Sequence, residues 1–387
     1  MNILFLYPSI NPNKGGIERV TYVLSKYLKS QGFNCFYLGL KQKNDMPEEE
    51  MNYLPDMSNE FTDRNRKFFV EFLEDNSIDV VINQGGMYGS KASLLSFEGR
   101  KVGVKVINCI HNSLLDGYRH LEVTYSSKIS KFRLDWAKKY ISSKSFKDFI
   151  VFLIKLRTES YYRQLVKKSD AVVLLSDTFK PDLQAITKMA CDNVYSISNP
   201  LSYKLDSNIN NKSKIVLYVG RINTAQKKVD LLLNIWAKIC HNHLDWKLKI
   251  VGYGPETEIL KTTAKKLNLV NYSFEGKKDP RNYYKEASIF TMTSAYEGFG
   301  IVLTEAMQYG VVPIAFNSFA SVHDIIDKNC GVLVKPFDLD MYAEAIETLM
   351  LTPPLLRKMA LYARRKSENF TLEKVGEKWI ELFKRLN

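Results

Sequence analysis

"IFTMTSAYEGFGIVLTEAMQYG", Ile289 to Gly310, changes its hydrophobic rhythm halfway along. "IFTMT" is a short apolar run of strand length. Gly298 and Gly300 then permit a tight backbone turn, and the residues from Ile301 to about Tyr309 read as a helix. A strand, a glycine turn and a helix in that order are the building step of a parallel sheet covered by helices.

The same alternation runs outward in both directions. Before residue 199, "NILFLYPS", "CFYLGL", "DVVINQ", "KVINCIH", "AVVLLS" and "VYSIS" read as strands. Between the first two, "ERVTYVLSKYLKSQG" sets Val20, Val23, Leu24 and Leu28 on one helical face ahead of Gly32. After residue 214, "KIVLYVG", "KLKIVGYG", "YSFEG", "IFTMT", "VVPIAF" and "GVLVK" are strands. Their helices are "VDLLLNIWAKIC", "ETEILKTTAKKL", "PRNYYKEA", "VLTEAMQYG" and "MYAEAIETLM". "SNPLSYKLDSNINNKSK", Ser198 to Lys214, is polar and turn-rich, the place for a linker. The expected chain is α/β, with two Rossmann-like doubly wound parallel-sheet domains facing a cleft. These are residues 1–198 and 215–370, joined by a linker at 199–214. A closing helix within 371–387, "LEKVGEKWIELFKRL", could pack back onto either domain, the N-terminal one first.

The chain of 387 residues carries a net charge of +13, which calls for an acidic partner. Lys128 to Lys168 holds twelve Lys/Arg against three acids, and the cations interleave with Phe132, Trp136, Tyr140, Phe146, Phe149 and Phe152. Residues 113–168 form an insert without a clear strand. "FKDFIVFLIKLRTESYYRQLVKK" reads either as an interfacial helix on an anionic membrane or as a helix packed on the first domain with a solvated basic face. No RNP-like motif, zinc finger or compact basic module points to nucleic acid. The five cysteines are odd in number and scattered, against a disulfide framework or a zinc site. "MNILFLYPSINPNKGG" lacks the features of a signal peptide, so the expected location is cytoplasmic, or peripheral on the inner face of the membrane.

Chemistry collects at predicted strand ends. Glu297 lies in the loop after "IFTMT" and Glu305 lies deeper, on the helix; a free helix N-terminus beside them suits an anionic phosphate. Carboxylates there could accept from vicinal hydroxyls of a sugar or ribose. In "YVGRINTAQKKVDLLL", Arg221 and Lys227 follow Gly220 at a strand end, placed to meet a diphosphate. "VGYGPE" offers Gly252 and Gly254, and "NKGGIERV" offers Gly15 and Gly16, two further glycine turns. His111 ends the fourth strand of the first half. Asp338 and Asp340 read as a helix start, and His241 and His243 lack metal-ligand company, so no metal is expected.

Together, "GGIERV", "GRINTAQKKVDLLL", "IVGYGP" and "EGFGIVLTEAMQYG" resemble the retaining glycosyltransferases of family 4, which have the GT-B fold. The resemblance covers nearly the whole chain and is strongest from Ile215 to Phe337. It implies that Glu297 with Phe299 and Gly300 holds the donor sugar, with Gly298 and Ile301 in the same turn, and that Glu305 binds the ribose. It also implies that Arg221 and Lys227 neutralise the diphosphate and stabilise the departing nucleotide. Gly16 would approach the phosphates and His111 would lie beside the reacting sugar. The implied reaction moves a hexose or N-acetylhexosamine from a nucleotide sugar, UDP before GDP, to a saccharide or lipid-linked saccharide in bacterial surface polysaccharide assembly. No cofactor is implied beyond that substrate. An epimerase of the same fold is the neighbouring alternative. Two positions depart from the family: Lys228 stands where glycine usually follows the motif lysine, leaving open which lysine reaches the phosphates. The turn "NSFASVHDII" lacks the glycines often found there.

Overall fold

A computed structural model of the chain describes residues 1–9, 11–12, 14–40, 51–124, 138–204 and 212–386. The chain divides into two compact units. One comprises Met1–Leu114, Leu153–Ser202 and Phe370–Asn387; the other comprises Leu115–Phe152 and Tyr203–Asn369.

The first unit is built on strands β1 (Asn2–Tyr7), β2 (Asn34–Gly39), β3 (Met51–Tyr53), β4 (Val80–Asn83), β5 (Lys105–Ile110), β6 (Ala171–Leu174) and β7 (Val194–Ser196). They pair in parallel in the order β3-β2-β1-β4-β5-β6-β7. Both sheet faces are covered, which is why β1 reads as an unbroken apolar run. Ile3 and Phe5 pack under the helices Gly16–Ser30 and Leu372–Leu386, with Leu24, Leu28, Trp379 and Phe383. Leu4 and Leu6 pack the other way, against Phe69, Leu73 and Leu95 of the helices Asp63–Asp75 and Lys91–Lys101. The order turns back between β1 and β4, and the loops beyond their carboxyl ends are where a doubly wound sheet offers binding groups.

The second unit holds β8 (Ile215–Val219), β9 (Lys247–Val251), β10 (Tyr272–Gly276), β11 (Ile289–Met292), β12 (Val312–Phe316) and β13 (Val332–Val334), parallel in the order β10-β9-β8-β11-β12-β13. Trp236, on the helix Val229–Ile239, is fully buried, and its indole N–H donates to Val270 O at 2.9 Å, so its polar atom is satisfied in an apolar setting.

One expectation about organisation differs from the structure. Leu115–Phe152, assigned above to the N-terminal domain as part of the 113–168 insert, falls with the second unit. Local contacts explain it: Asp116 Oδ2 accepts the Ala320 N–H at 3.1 Å, and the His120 ring meets Phe337 edge-on at 5.2 Å. The closing helix Leu372–Leu386 lies in the first unit; its Gly376 packs so tightly on Tyr27 that a Cβ would stand 2.1 Å from the ring. The sequence reading also passed over β3, only three residues long, and the helix Pro353–Ser367, which follows Leu339–Leu351 after the single residue Thr352.

The insert proves to contain a helix of 25 residues, Lys144–Lys168. Its C-terminal half buries Thr158, Tyr162, Leu165 and Val166, whereas Phe146, Phe149, Phe152, Leu153 and Leu156 are exposed. These five follow the three- and four-residue spacing that makes one helical stripe. Phe132, Trp136 and the centre of the linker lie outside the described residues. Among the described residues no helix is long and apolar enough to cross a membrane.

Candidate active site

Neighbouring strands β9, β8, β11 and β12 deliver four loops to one edge of the second unit's sheet. After β8, Asn223 Oδ1 accepts the N–H groups of Gln226 and Lys227 at 3.0 and 2.9 Å, winding the chain into a tight turn before the helix Val229–Ile239. That turn is bound to the next loop. Thr293, just past β11, donates its hydroxyl to Lys227 O and Lys228 O, both at 3.0 Å. Ala295 N–H donates to Gln226 O at 2.7 Å, and Gln226 Nε2 donates to Tyr296 O at 3.2 Å.

These bonds bring two of the sequence-predicted residues together. Lys227 Nζ donates to Glu297 Oε1 at 2.6 Å, with side chains only 18% and 8% exposed. A charge-assisted bond with little water around it is strong and well oriented. The neighbouring lysine has another task. Lys228 is buried, and it occupies the left-handed region at φ 51°, which is why glycine suits that position. Burial pushes its amine downward, opposed by the charges of Asp230 and Glu256. Lys227 is therefore the lysine that stands with Glu297.

Arg221 is exposed at the start of the same loop, its carbonyl accepting from Tyr218 OH at 2.9 Å. Burial and then the Glu297 charge push the Tyr218 phenol up, with Arg221 pulling the other way, so all three groups share one field. Gly300 caps the helix Ile301–Gln308 at φ 86°, a conformation that favours glycine, while Phe299 is buried beneath the turn. One turn into that helix, Glu305 is 1% exposed and its Oε2 accepts from Tyr284 OH at 3.1 Å. Tyr284 in turn stacks on Tyr309 at 5.8 Å. Nearby in sequence, the Ser294 hydroxyl and both polar atoms of the Gln308 amide are buried without a partner among the described residues. Unmet buried polar groups of this kind suit a polar ligand or water.

Gly252 and Gly254 have a packing reason to be glycine. A Cβ on either would stand 1.9 Å from a carbonyl oxygen, Gly220 O or Ile222 O, because the β8 and β9 loops run backbone against backbone. Thr257 and Glu256 clamp this crossing: Thr257 Oγ1 donates to Gly254 O at 2.8 Å, and Thr224 N–H donates to Glu256 Oε2.

The other predicted residues belong to the first unit. Gly15 precedes the helix Gly16–Ser30 in extended backbone, and a Cβ on Gly16 would meet nothing within 4 Å, so a ligand could approach the chain there. His111 directly follows β5, buried, with Nε2 2.5 Å from Gln84 Oε1 and no partner for Nδ1 among the described residues. Burial lowers its pKa to about 4, so the ring is neutral near pH 7.

Sequence reasoning missed the residues that hold the Glu297 loop from behind. Ser318 Oγ donates to Ser294 O at 2.6 Å, and Ser321 Oγ donates to Gly298 O at 3.1 Å. "NSFASVHDII" was notable for lacking glycine; its serines were the signal. Asp116 is buried, held by Arg119 at 2.8 Å, and the adjoining Gly117 lies against the Tyr296 ring. Of the discounted features, Asp338 accepts the Met341 N–H at 3.1 Å as a helix cap, and His243 meets Glu347 at 2.9 Å.

Two parallel-sheet α/β units of this order define the GT-B fold, and solved structures share it. A Staphylococcus aureus TarM structure, in complex with Fondaparinux, alpha-GlcNAc-glycerol and UDP, matches 99% of this chain and 100% of its own with a TM-score of 0.74, at 15% identity. The family model described as glycosyl transferases group 1 matches residues 202–366. A Haemophilus influenzae protein described as an uncharacterized glycosyltransferase is 32% identical over 55% of this chain and 61% of its own length. The amylovoran biosynthesis glycosyltransferase AmsD of Erwinia amylovora is 30% identical over 49% of this chain and 56% of its own. The matches thus span about 61% and 56% of these relatives' lengths.

Proposed function

We propose that the protein is a retaining glycosyltransferase that moves a hexose or N-acetylhexosamine from a UDP-sugar to a saccharide acceptor, lipid-linked, in bacterial surface polysaccharide synthesis. The observation that carries this reading is the Lys227–Glu297 pair, held at 2.6 Å beside the N-terminus of Ile301–Gln308. In the proposed reaction, Lys227 and Arg221 face the donor diphosphate and stabilise the charge that develops as the nucleotide leaves. The free N–H groups at the helix start add to that field. Glu297 and the backbone of Phe299 and Gly300 orient the sugar hydroxyls, and Glu305 receives the ribose. Neutral His111 accepts or donates a hydrogen bond at the reacting sugar rather than offering a charge. Attack from the face the nucleotide leaves retains configuration, with the departing phosphate taking the acceptor proton, so no separate base is required. TarM, which shares the fold, holds UDP, and the Erwinia relative is named for amylovoran biosynthesis; both support the donor and pathway class.

The exposed stripe on Lys144–Lys168, bracketed by cations, supports a peripheral seat on an anionic membrane, where a lipid-linked acceptor would be met. The test of function is a melting-temperature panel with UDP, GDP, ADP and their sugar conjugates, on wild type, Lys227→Met and Glu305→Ala. A rise with UDP compounds that shrinks in both variants is expected. No rise with any nucleotide would overturn the reading.

A further inference from the structure

At the carboxyl end of the first unit's sheet, the loop after β4 is held rigidly. Asn83 Oδ1 accepts the Gly85 N–H at 3.0 Å, and Gly86 N–H donates to Cys109 O at 2.9 Å. Gly86 lies so close to β5 that a Cβ would stand 2.7 Å from that oxygen. The pinned loop turns Met87 and Tyr88 outward, 39% and 43% exposed. Tyr88 is buttressed edge-on by Tyr161 at 5.6 Å. Tyr161 is fixed in turn, its hydroxyl donating to Ser93 Oγ at 2.9 Å, and Ser93 is joined to Asn83 Nδ2 at 3.1 Å. Tyr88 thus presents a partly exposed ring in a fixed orientation.

Arg157 completes the arrangement. Its guanidinium lies over the Tyr88 ring, 5.8 Å from the centroid, and it forms no ion pair among the described residues. It follows directly on the exposed apolar stripe of its own helix, with Leu156 one residue and Leu153 one turn before it. At the end of the adjacent strand, His111 Nδ1 and Ser113 Oγ are buried without partners among the described residues. Asn112 Nδ2 reaches Met87 Sδ at 2.9 Å, tying this strand end to the same loop. The order is an apolar stripe, a cation suited to phosphate, an aromatic face and unmet polar atoms. Those are the complements of an amphiphile whose tail is joined to a sugar through phosphate.

We propose that Tyr88 and Arg157 form the acceptor site for a saccharide linked through diphosphate to an isoprenoid lipid, Arg157 taking the phosphate and Tyr88 stacking on the first sugar. This rests on the lipid-linked acceptor of the function proposed above. The test is calorimetric titration of the intact protein with farnesyl diphosphate, with its N-acetylglucosamine conjugate and with free N-acetylglucosamine. Wild type, Arg157→Gln, Tyr88→Ala and Tyr88→Phe are compared; both side chains are at the surface, so the variants fold. The conjugate should bind wild type about 10-fold or more tighter than either half. Arg157→Gln should weaken both diphosphates, again by about 10-fold. Tyr88→Ala should weaken only the conjugate, and Tyr88→Phe should restore it. Conjugate binding that is absent from wild type, or unchanged by Arg157→Gln and Tyr88→Ala, overturns the site. The UDP-induced melting shift, measured on the same samples, reports separately on the donor reading: its loss from wild type would fail that reading while the lipid titration still judged this one.

Discussion

Lys227 and Glu297 neutralise each other where little water reaches, so removing one strands the other. Lys227→Met should cost about 1–3 kcal/mol of stability and, under the proposed reaction, lower kcat/KM by about 10²–10³. Adding Glu297→Gln should recover most of the stability and none of the activity; a double-mutant cycle by urea unfolding, set beside turnover, checks both. The glycines divide in the same way. Gly254→Ala would drive a methyl into Ile222 O, and should lose several kcal/mol or fail to express. Gly16→Ala meets nothing, so its melting temperature should stay within about 2 °C of wild type. Any effect of Gly16→Ala on activity would then report on a ligand rather than on the fold.

Elements carry the next set of consequences. The closing helix Leu372–Leu386 shields one face of the first sheet with Val375, Trp379, Leu382 and Phe383. Trp379→Ala should destabilise by about 3–5 kcal/mol, measured by chemical denaturation. The helix Lys144–Lys168 behaves oppositely, leaving Phe149 and Phe152 in solvent. Phe149→Ser with Phe152→Ser should therefore keep the melting temperature and abolish sedimentation with vesicles of anionic lipid, the wild-type binding falling as salt rises. Sedimentation unchanged by the double variant would sink the membrane reading. The loops are elements too: Ser318 and Ser321 tie the Glu297 loop to the turn after β12, and replacing both with alanine should loosen that loop at about 1 kcal/mol per bond.

Whole-molecule stability should depend on pH through two bases, buried His111 in the first unit and half-buried Lys212 in the second. His111 titrates near 4 when folded against 6.5 as its ordinary value, because burial disfavours the cation. The unfolded chain then binds more protons between those values, so stability rises with pH from about 4 to 6.5 and is flat above, by on the order of 3 kcal/mol. Lys212 donates to Tyr284 O and Lys285 O at 2.8 and 3.0 Å, and burial lowers it to about 7 from 10.5. By the same sign, stability of the second unit rises between about pH 7 and 10.5. Urea unfolding across pH should show both climbs, with His111→Asn removing the acidic one and Lys212→Met the alkaline one.

Strands were legible in the sequence because each face of both sheets is covered, so β1, β4, β8, β11 and β12 appear as unbroken apolar runs. The places of Arg221, Lys227 and Glu297 in loops after strands, and of Glu305 on the helix that follows, were legible because those segments follow such runs directly. The three-residue β3 was too short to carry a period, and the Pro353–Ser367 helix abuts its predecessor without a turn signal. Local order and composition thus determined by themselves the fold class and the position of these charged residues at strand ends. Tertiary structure alone decided which lysine meets Glu297, that Gly252 and Gly254 serve a backbone crossing, and that Asp116 sits with the second unit. Each depends on atoms far apart in the chain, whose distances are set by packing and hydrogen bonds across elements, and no local pattern of residue types encodes those distances.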